Sequence, residues 1–185
     1  MQMLIEISTS SQQTRHYPEL ISILAIDSTY LLYDVRKKPK DAIPDDIYEK
    51  HKDVSVTSRP IVHMRIISEY FPWKIDVKIA SQDITGIRVR DVWKALYSQL
   101  QEPISESEWS ILGMRDLLTS DKRESILRSA KRRGEKANKV YRIDWLGSRT
   151  KFCGLYRDEA TEKRLLLPSA PNCTETWVAN FSNYI

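Results

Sequence analysis

Hydrophobic and polar residues alternate most clearly over residues 73–79, where every second side chain is apolar. This period of two predicts a strand with one buried face and one solvated face. Shorter apolar runs predict further strands at 30–36, 62–68, 140–146, 151–156, 164–167 and 176–181. Turn residues at 69–72 and at 147–148 predict two hairpins, each of which joins the strands on either side of the turn.

A helical period of apolar residues dominates the middle of the chain. Residues 89–101 carry apolar side chains three or four positions apart, and residues 120–133 repeat the pattern more weakly. Ser105 and Glu108 match a capping box, which predicts a further helix start. The order of strands, helices and strands predicts an α+β fold: a mainly antiparallel sheet, with two or three helices inserted between an N-terminal hairpin and C-terminal strands.

The polar, mixed residues 1–16 predict a flexible N-terminal arm, and residues 17–185 predict a single globular domain. Within it, residues 41–58 are interpreted as a long surface connection with a helical turn at 45–51. No secretory signal and no apolar run long enough to cross a membrane is found in the 185 residues. These features favour a cytoplasmic or nuclear location and no membrane partner.

Positive charge is concentrated in one segment. Between Lys122 and Arg142, nine basic residues stand against two acidic ones, so this segment carries +7 while the whole chain carries +4. The candidate binding residues in it are Lys131, Arg132, Arg133, Lys136, Lys139 and Tyr141. The cations can neutralise phosphates and the tyrosine can stack on a base. A solvated helix end, a dock for an acidic protein and a nuclear address remain alternatives.

No recognised catalytic or cofactor motif occurs in the sequence. Its five glycines are too far apart for a phosphate-binding loop, and no GxSxG, HExxH or CxxC motif occurs. Cys153 and Cys173 are too few for a zinc site or a disulfide framework. A single bridge between them stays open, although reduced thiols are the intracellular default. The sequence therefore predicts no metal and no cofactor.

Four residues form the candidate site of an enzyme with no recognised motif: Asp34, His63, Arg142 and Asp144. Arg142 and Asp144 come first, because the predicted strand 140–146 would project both from one face beside a tryptophan. The structural alternative is that the aspartates pair with arginines on polar strand faces and that His63 is an ordinary strand histidine. For the five tryptophans, core packing is favoured over a ligand cage.

Three blocks of sequence carry a resemblance to a known family. They comprise Tyr33-Asp34-Val35, Ser58-Arg59-Pro60 and Phe71-Pro72-Trp73-Lys74-Ile75-Asp76-Val77; then residues 87–96; then Arg142-Ile143-Asp144-Trp145-Leu146, Phe152-Cys153-Gly154-Leu155 and Trp177. The order and spacing of these blocks, over residues 17–181, resemble those of a domain family of unknown function that is widespread in mushroom-forming fungi. The chain departs from the family at Arg88, where a threonine is more usual. The resemblance implies a fungal, intracellular, single-domain protein and no catalytic residues.

Three functional hypotheses follow. The first is a non-enzymatic module that binds another protein, suggested by the missing catalytic motifs and by the long connection at 41–58. The alternative is a nucleic-acid-binding protein that uses the basic segment 122–142. The second alternative is an enzyme whose site combines Asp34, His63, Arg142 and Asp144. The oligomeric state and the identity of the partner do not follow from the sequence.

Overall fold

The computed structural model describes residues 18–80, 84–115, 117–134, 139–166, 173 and 175–183. Its elements are β1 (Tyr33–Asp34), α1 (Pro39–Ala42), α2 (Asp45–His51), β2 (His63–Ser68), β3 (Phe71–Lys78), α3 (Val89–Leu100), α4 (Glu106–Met114), α5 (Ser120–Arg132), α6 (Arg142–Trp145), β4 (Lys151–Tyr156), α7 (Glu159–Leu165) and β5 (Thr176–Ser182). The predicted α+β class is confirmed. The three longest helices, α3, α4 and α5, lie between the β2–β3 hairpin and the last two strands, as predicted. The predicted arm, 1–16, lies outside the described residues.

The five strands form one sheet in the order β1-β4-β5-β2-β3. Three neighbouring pairs are antiparallel, but β2 and β5 run parallel, with Ile66 opposite Trp177. The sheet is therefore mixed rather than purely antiparallel. A parallel pair needs a long connection rather than a tight turn, and here β3, β4 and the helices α3 to α7 all lie between β2 and β5 along the chain.

The strand predicted at 140–146 is wrong: these residues contain the short helix α6. Tyr141 precedes the helix, and its backbone N–H donates to Asp144 Oδ2 at 2.9 Å. A local side-chain acceptor of this kind satisfies a backbone donor that a strand would have to pair elsewhere. The predicted hairpin with 151–156 is wrong for the same reason, since β4 pairs instead with β1 and β5.

The strand predicted at 164–167 is also wrong, because a helix, α7, extends to Leu165; residue 167 lies outside the described residues. Asp158 Oδ1 accepts hydrogen bonds from the backbone N–H groups of Ala160 and Thr161, at 2.9 and 3.2 Å, and so starts the helix. The strand predicted at 30–36 shortens to the two residues of β1. The other predicted strands and the helices at 89–101 and 120–133 are confirmed to within a few residues.

Helix α3 supplies the centre of the hydrophobic core. Trp93 and Leu96 are fully buried, and the Tyr48 ring of α2 stacks on Trp93 with 5.8 Å between ring centroids. The helical turn predicted at 45–51 is thus confirmed as α2, and it packs against the core. Val56 is also fully buried, so the segment 41–58 is integrated into the fold rather than being a simple surface connection. None of the described helices has the length and apolar character needed to cross a membrane.

Candidate functional site

Two adjoining cavities form an open groove between the β2–β3 turn and the α4–α5 connection. The larger cavity, of about 590 Å³, has an apolar wall formed by Phe71, Trp73, Leu117, Trp145 and Leu165. The smaller, of about 440 Å³, shares Leu117 and Trp145 with it, so both cavities meet at one aromatic wall. We call the two cavities together the tryptophan groove. Apolar concave surfaces of this volume are the usual places where a ligand or an anchoring side chain binds.

The Trp73 ring in this wall is held by a partly buried hydrogen-bonded cluster. Its Nε1 donates to Glu108 Oε1 at 2.7 Å, and Arg142 Nη2 donates to the same oxygen at 2.7 Å. The Arg142 guanidinium also lies 5.3 Å from the centroid of the Trp73 ring. The Trp145 ring packs edge-on against Trp73 at 5.5 Å between centroids. The wall is therefore preorganised before any partner arrives.

Lys122 holds the second tryptophan. Its Nζ donates to the backbone oxygen of Trp145 at 2.8 Å and lies 4.9 Å from the centroid of the Trp145 ring. Burial lowers the pKa of Lys122. The first cation of the predicted basic segment is thus turned inward and braces the groove instead of facing solvent.

The rim of the groove is positively charged. Among its described lining residues the cations are Lys74, Arg115, Lys122, Arg149 and Arg164, and the single carboxylate is Glu69, which pairs with Arg164. Five positive charges against one negative charge leave a net charge of +4. Arg149 lies over the Tyr70 ring, 5.0 Å from its centroid, and so borders the smaller cavity. An apolar wall inside a cationic rim favours a ligand that is both apolar and acidic.

Glu108 is the negatively charged member of the cluster that holds Trp73. Burial alone would raise the pKa of its carboxyl group, but hydrogen bonds from the Ser105 backbone and from Arg142 outweigh burial and lower it. A lowered folded-state pKa means that the carboxylate stabilises the fold fully above the ordinary value of 4.5. This stabilisation is lost as the pH falls through the lowered pKa.

We expect Glu108→Gln to reduce the free energy of unfolding by about 1 kcal/mol at about pH 7, because it removes the charge but keeps an oxygen for Trp73. The difference from the unmodified chain should shrink as the pH falls below 4.5 and through the lowered pKa of Glu108, where Glu108 itself becomes protonated. Urea unfolding of both proteins at several pH values measures this. A difference that stayed constant with pH would show that the Glu108 charge does not stabilise the cluster.

Asp34, one of the four candidate catalytic residues, is almost fully buried and accepts hydrogen bonds from Arg36 and from Lys151. Burial opposes ionisation, but these bonds hold the pKa of Asp34 below its usual range. His63 lies on β2, where its Nε2 is 3.2 Å from Asp76 Oδ1. That same oxygen accepts a 2.7 Å bond from the buried Arg65.

Arg142 and Asp144, which were predicted to share a strand face, lie on helix α6 and have different partners. Arg142 bonds Glu108 and forms a 2.6 Å ion pair with Glu102. Asp144 is buried and accepts from Arg133 Nε and Nη2 at 3.1 and 2.9 Å. The structure therefore places Arg142 behind the tryptophan groove and Asp144 beside the end of α5.

The candidate nucleic-acid-binding residues divide into two groups. Lys131, Arg132 and Lys139 are exposed, whereas Arg133 pairs with Asp144 and covers the Tyr141 ring at 4.3 Å from its centroid. Lys136 lies outside the described residues. Tyr141 thus already has a cation on one face of its ring, the arrangement that a stacked base would need to displace or share.

Cys153 and Cys173 are free thiols. No group of three or more histidine, cysteine, aspartate or glutamate side chains within the described ranges is arranged to hold a metal ion. The sequence pointed to Arg142, but it gave no signal for the contact of Glu108 with Trp73. The capping box located Glu108 at a helix start, and only one of its two carboxylate oxygens serves that cap.

Comparison with known proteins adds a family and no activity. DUF6699, a family of unknown function, matches residues 31–164, which include β1 to β4 and most of the groove lining. No curated protein and no solved structure matches the chain.

Proposed function

The chain belongs to DUF6699, a family of unknown function, and we propose that it is a non-enzymatic module that binds another protein through the tryptophan groove. The observation that carries this proposal is the preorganised wall of Trp73 and Trp145 inside an open cavity of about 590 Å³. Partners in protein complexes commonly anchor one or a few large side chains in such a pocket, and aromatic residues dominate the binding energy there.

The chemistry of the groove supports a short acidic segment with an apolar anchor. The anchor would contact Leu117 and the two tryptophans, and acidic neighbours would face the rim, which carries a net charge of +4. The described lining contains no histidine and no cysteine, and the Ser68 hydroxyl donates to the backbone oxygen of Ala179 at 2.8 Å. This lining favours binding over nucleophilic catalysis.

The test is selection of random displayed peptides on the full chain, followed by affinity measurement with the enriched peptides. We expect them to share a large apolar residue flanked by aspartate or glutamate. Leu117→Glu should weaken the binding of these peptides by at least about tenfold, because it places a negative charge in the apolar wall, where it repels the acidic residues of the peptide. Leu127→Glu is the matched control: Leu127 is 49% exposed against 39% for Leu117, but it lines neither cavity.

The Leu127→Glu control distinguishes specific binding of peptides in the tryptophan groove from general binding of peptides to exposed apolar residues. Equal weakening by Leu117→Glu and Leu127→Glu, or a failure to enrich any peptide class, would remove the proposal. Binding should also weaken moderately with added salt, because four of the rim cations are exposed and are screened by ions: Lys74, Arg115, Arg149 and Arg164.

A second candidate function is nucleic-acid binding by the outer face of α5. The observation that favours it is a set of exposed cations on this one helix: Arg123, Arg128, Lys131 and Arg132. Fluorescence anisotropy with mixed-sequence RNA and single-stranded DNA at two salt concentrations tests it. Affinity that falls steeply with salt would support this function, and the lack of binding at low salt would leave the exposed face of α5 without a nucleic-acid role.

A further inference from the structure

A third cavity, of about 440 Å³, lies on another part of the surface, between the C-terminal end of α5 and the turn that follows α6. Its lining includes three arginines, Arg36, Arg132 and Arg133, together with Asp144 and with the hydroxyl residues Ser129, Ser148 and Thr150. We call it the arginine cavity. It shares Gly147 and Ser148 with the edge of the tryptophan groove but none of the aromatic wall.

The charges at the arginine cavity do not cancel. Asp34 is shared between two cations, Arg36 and Lys151, and Asp144 pairs with Arg133. Arg132 is exposed and has no ion-pair partner in the part of the chain that the structure describes. Among the described residues at and directly behind this concave surface, four cations and two carboxylates therefore leave a net charge of +2.

The two carboxylates also fix the arginines in place. Arg36 binds Asp34 through Nε and Nη2, with distances of 3.0 and 2.6 Å to its two oxygens. Arg133 binds Asp144 in the same bidentate manner, through Nε and Nη2 at 3.1 and 2.9 Å from its two carboxylate oxygens. Arg133 Nη2 also donates to the backbone oxygen of Lys139 at 3.1 Å, so Arg133 contributes mainly its positive charge to the cavity. A guanidinium group has five N–H donors in a rigid plane, so Arg36, held by one anion, can still present donors to a second anion.

We infer that the arginine cavity binds a phosphate monoester. Such a group carries a charge of about −1.5 to −2 near neutral pH, which matches the net +2 of the cavity, and it offers three acceptor oxygens to the arginines and hydroxyl groups that line it. A phosphodiester carries a single charge and one fewer terminal oxygen, so the cavity should prefer the monoester. The cavity volume exceeds that of the phosphate group itself and leaves room for the rest of the molecule.

Titration of the full chain with inorganic phosphate, with a short peptide containing phosphoserine and with dimethyl phosphate, at constant ionic strength, tests this inference. Isothermal calorimetry should show saturable binding of the first two and much weaker binding of the singly charged diester. Tighter binding of the phosphopeptide than of inorganic phosphate indicates a phosphorylated protein as the source. The reverse order indicates a small free phosphate.

Arg132→Gln should weaken phosphate binding by about tenfold, because it removes one charged donor without breaking an ion pair in the described structure. Arg128→Gln is the matched control, since Arg128 is exposed on the same helix one turn earlier and does not line the cavity. Lack of saturable binding at millimolar phosphate overturns the inference. Equal weakening by the two variants also overturns it, because it would show attraction to the basic helix as a whole.

Discussion

Replacing Gly154 with alanine is expected to lower the free energy of unfolding by more than about 2 kcal/mol. Gly154 lies in β4 with φ of 115°, a backbone conformation that residues with a side chain rarely adopt. A Cβ atom at this position would lie 2.7 Å from Ile26 Cα and 2.9 Å from Ile26 N. Both contacts are with backbone, so no side-chain rotation can relieve them.

The close contact lies where residues 24–26 form backbone hydrogen bonds with strand β4. Leu155 N–H donates to Leu24 O at 2.7 Å, and Ile26 N–H donates to Leu155 O at 3.0 Å. Moving residues 24–26 away from the new methyl group would strain both bonds and disturb Leu24, which is fully buried. The cost therefore includes lost hydrogen bonding and packing in addition to the strained backbone angle.

Gly113→Ala is the matched control for this prediction, and it should have the opposite sign. Gly113 lies within helix α4, and a Cβ atom there would meet nothing within 4 Å. Alanine is favoured over glycine inside a helix by roughly 0.5–1 kcal/mol, so this variant should be slightly more stable. Urea unfolding measures both changes. Similar stabilities for the two variants would show that β4 and residues 24–26 are not in close contact.

The elements that could be predicted from the sequence are those with a long one-sided burial pattern. In β3, Ile75 and Val77 are buried while Lys74 and Lys78 are exposed, so the period of two survives in the fold. In α3, the buried residues recur at helical spacing along twelve residues. Such patterns are reliable because the burial of a whole face determines which period the chain must follow.

In the two wrongly predicted strands, 140–146 and 164–167, single side chains decided the structure. Asp144 and Asp158 each accept hydrogen bonds from nearby backbone N–H groups and so begin α6 and α7. At 140–146, three alternating apolar residues stabilise a strand less than the local hydrogen bond stabilises the helix, because they bury little surface and an unpaired strand leaves backbone groups without partners.

The aromatic cluster of the candidate site could not be predicted, because its members are far apart in the sequence. Trp73 and Glu108 are separated by 35 residues, and Glu108 and Arg142 by 34. The basic segment shows the same limit: its summed charge of +7 includes Lys122, Arg133 and Arg142, which the tertiary structure turns towards specific partners. Charge counted along the chain does not indicate which cations remain on the surface.

Replacing Asp144 with alanine is expected to reduce the free energy of unfolding by about 2–4 kcal/mol. The Asp144 side chain is only 3% exposed and accepts two hydrogen bonds from Arg133 and one from the Tyr141 N–H. The alanine variant would leave the Arg133 guanidinium and the Tyr141 N–H without this acceptor. It would also remove the cap of α6, the helix that positions Arg142 and Trp145 at the tryptophan groove.

Asp144→Asn separates the charge from the shape of this side chain. Its amide oxygen can still accept from the Tyr141 N–H, so we expect it to keep α6 and to lose roughly half as much stability as the alanine variant. Because one negative charge disappears, the net charge at the arginine cavity rises from +2 to +3, and phosphate should bind more tightly to this variant than to the unmodified chain. Chemical unfolding and phosphate calorimetry on the same preparations measure both effects. If Asp144→Ala were as stable as the unmodified protein, the ion pair between Asp144 and Arg133 would contribute nothing to holding α5 against α6. If Asp144→Asn bound phosphate more weakly than the unmodified protein, the position that Asp144 gives to Arg133 would matter more for phosphate binding than the negative charge of Asp144.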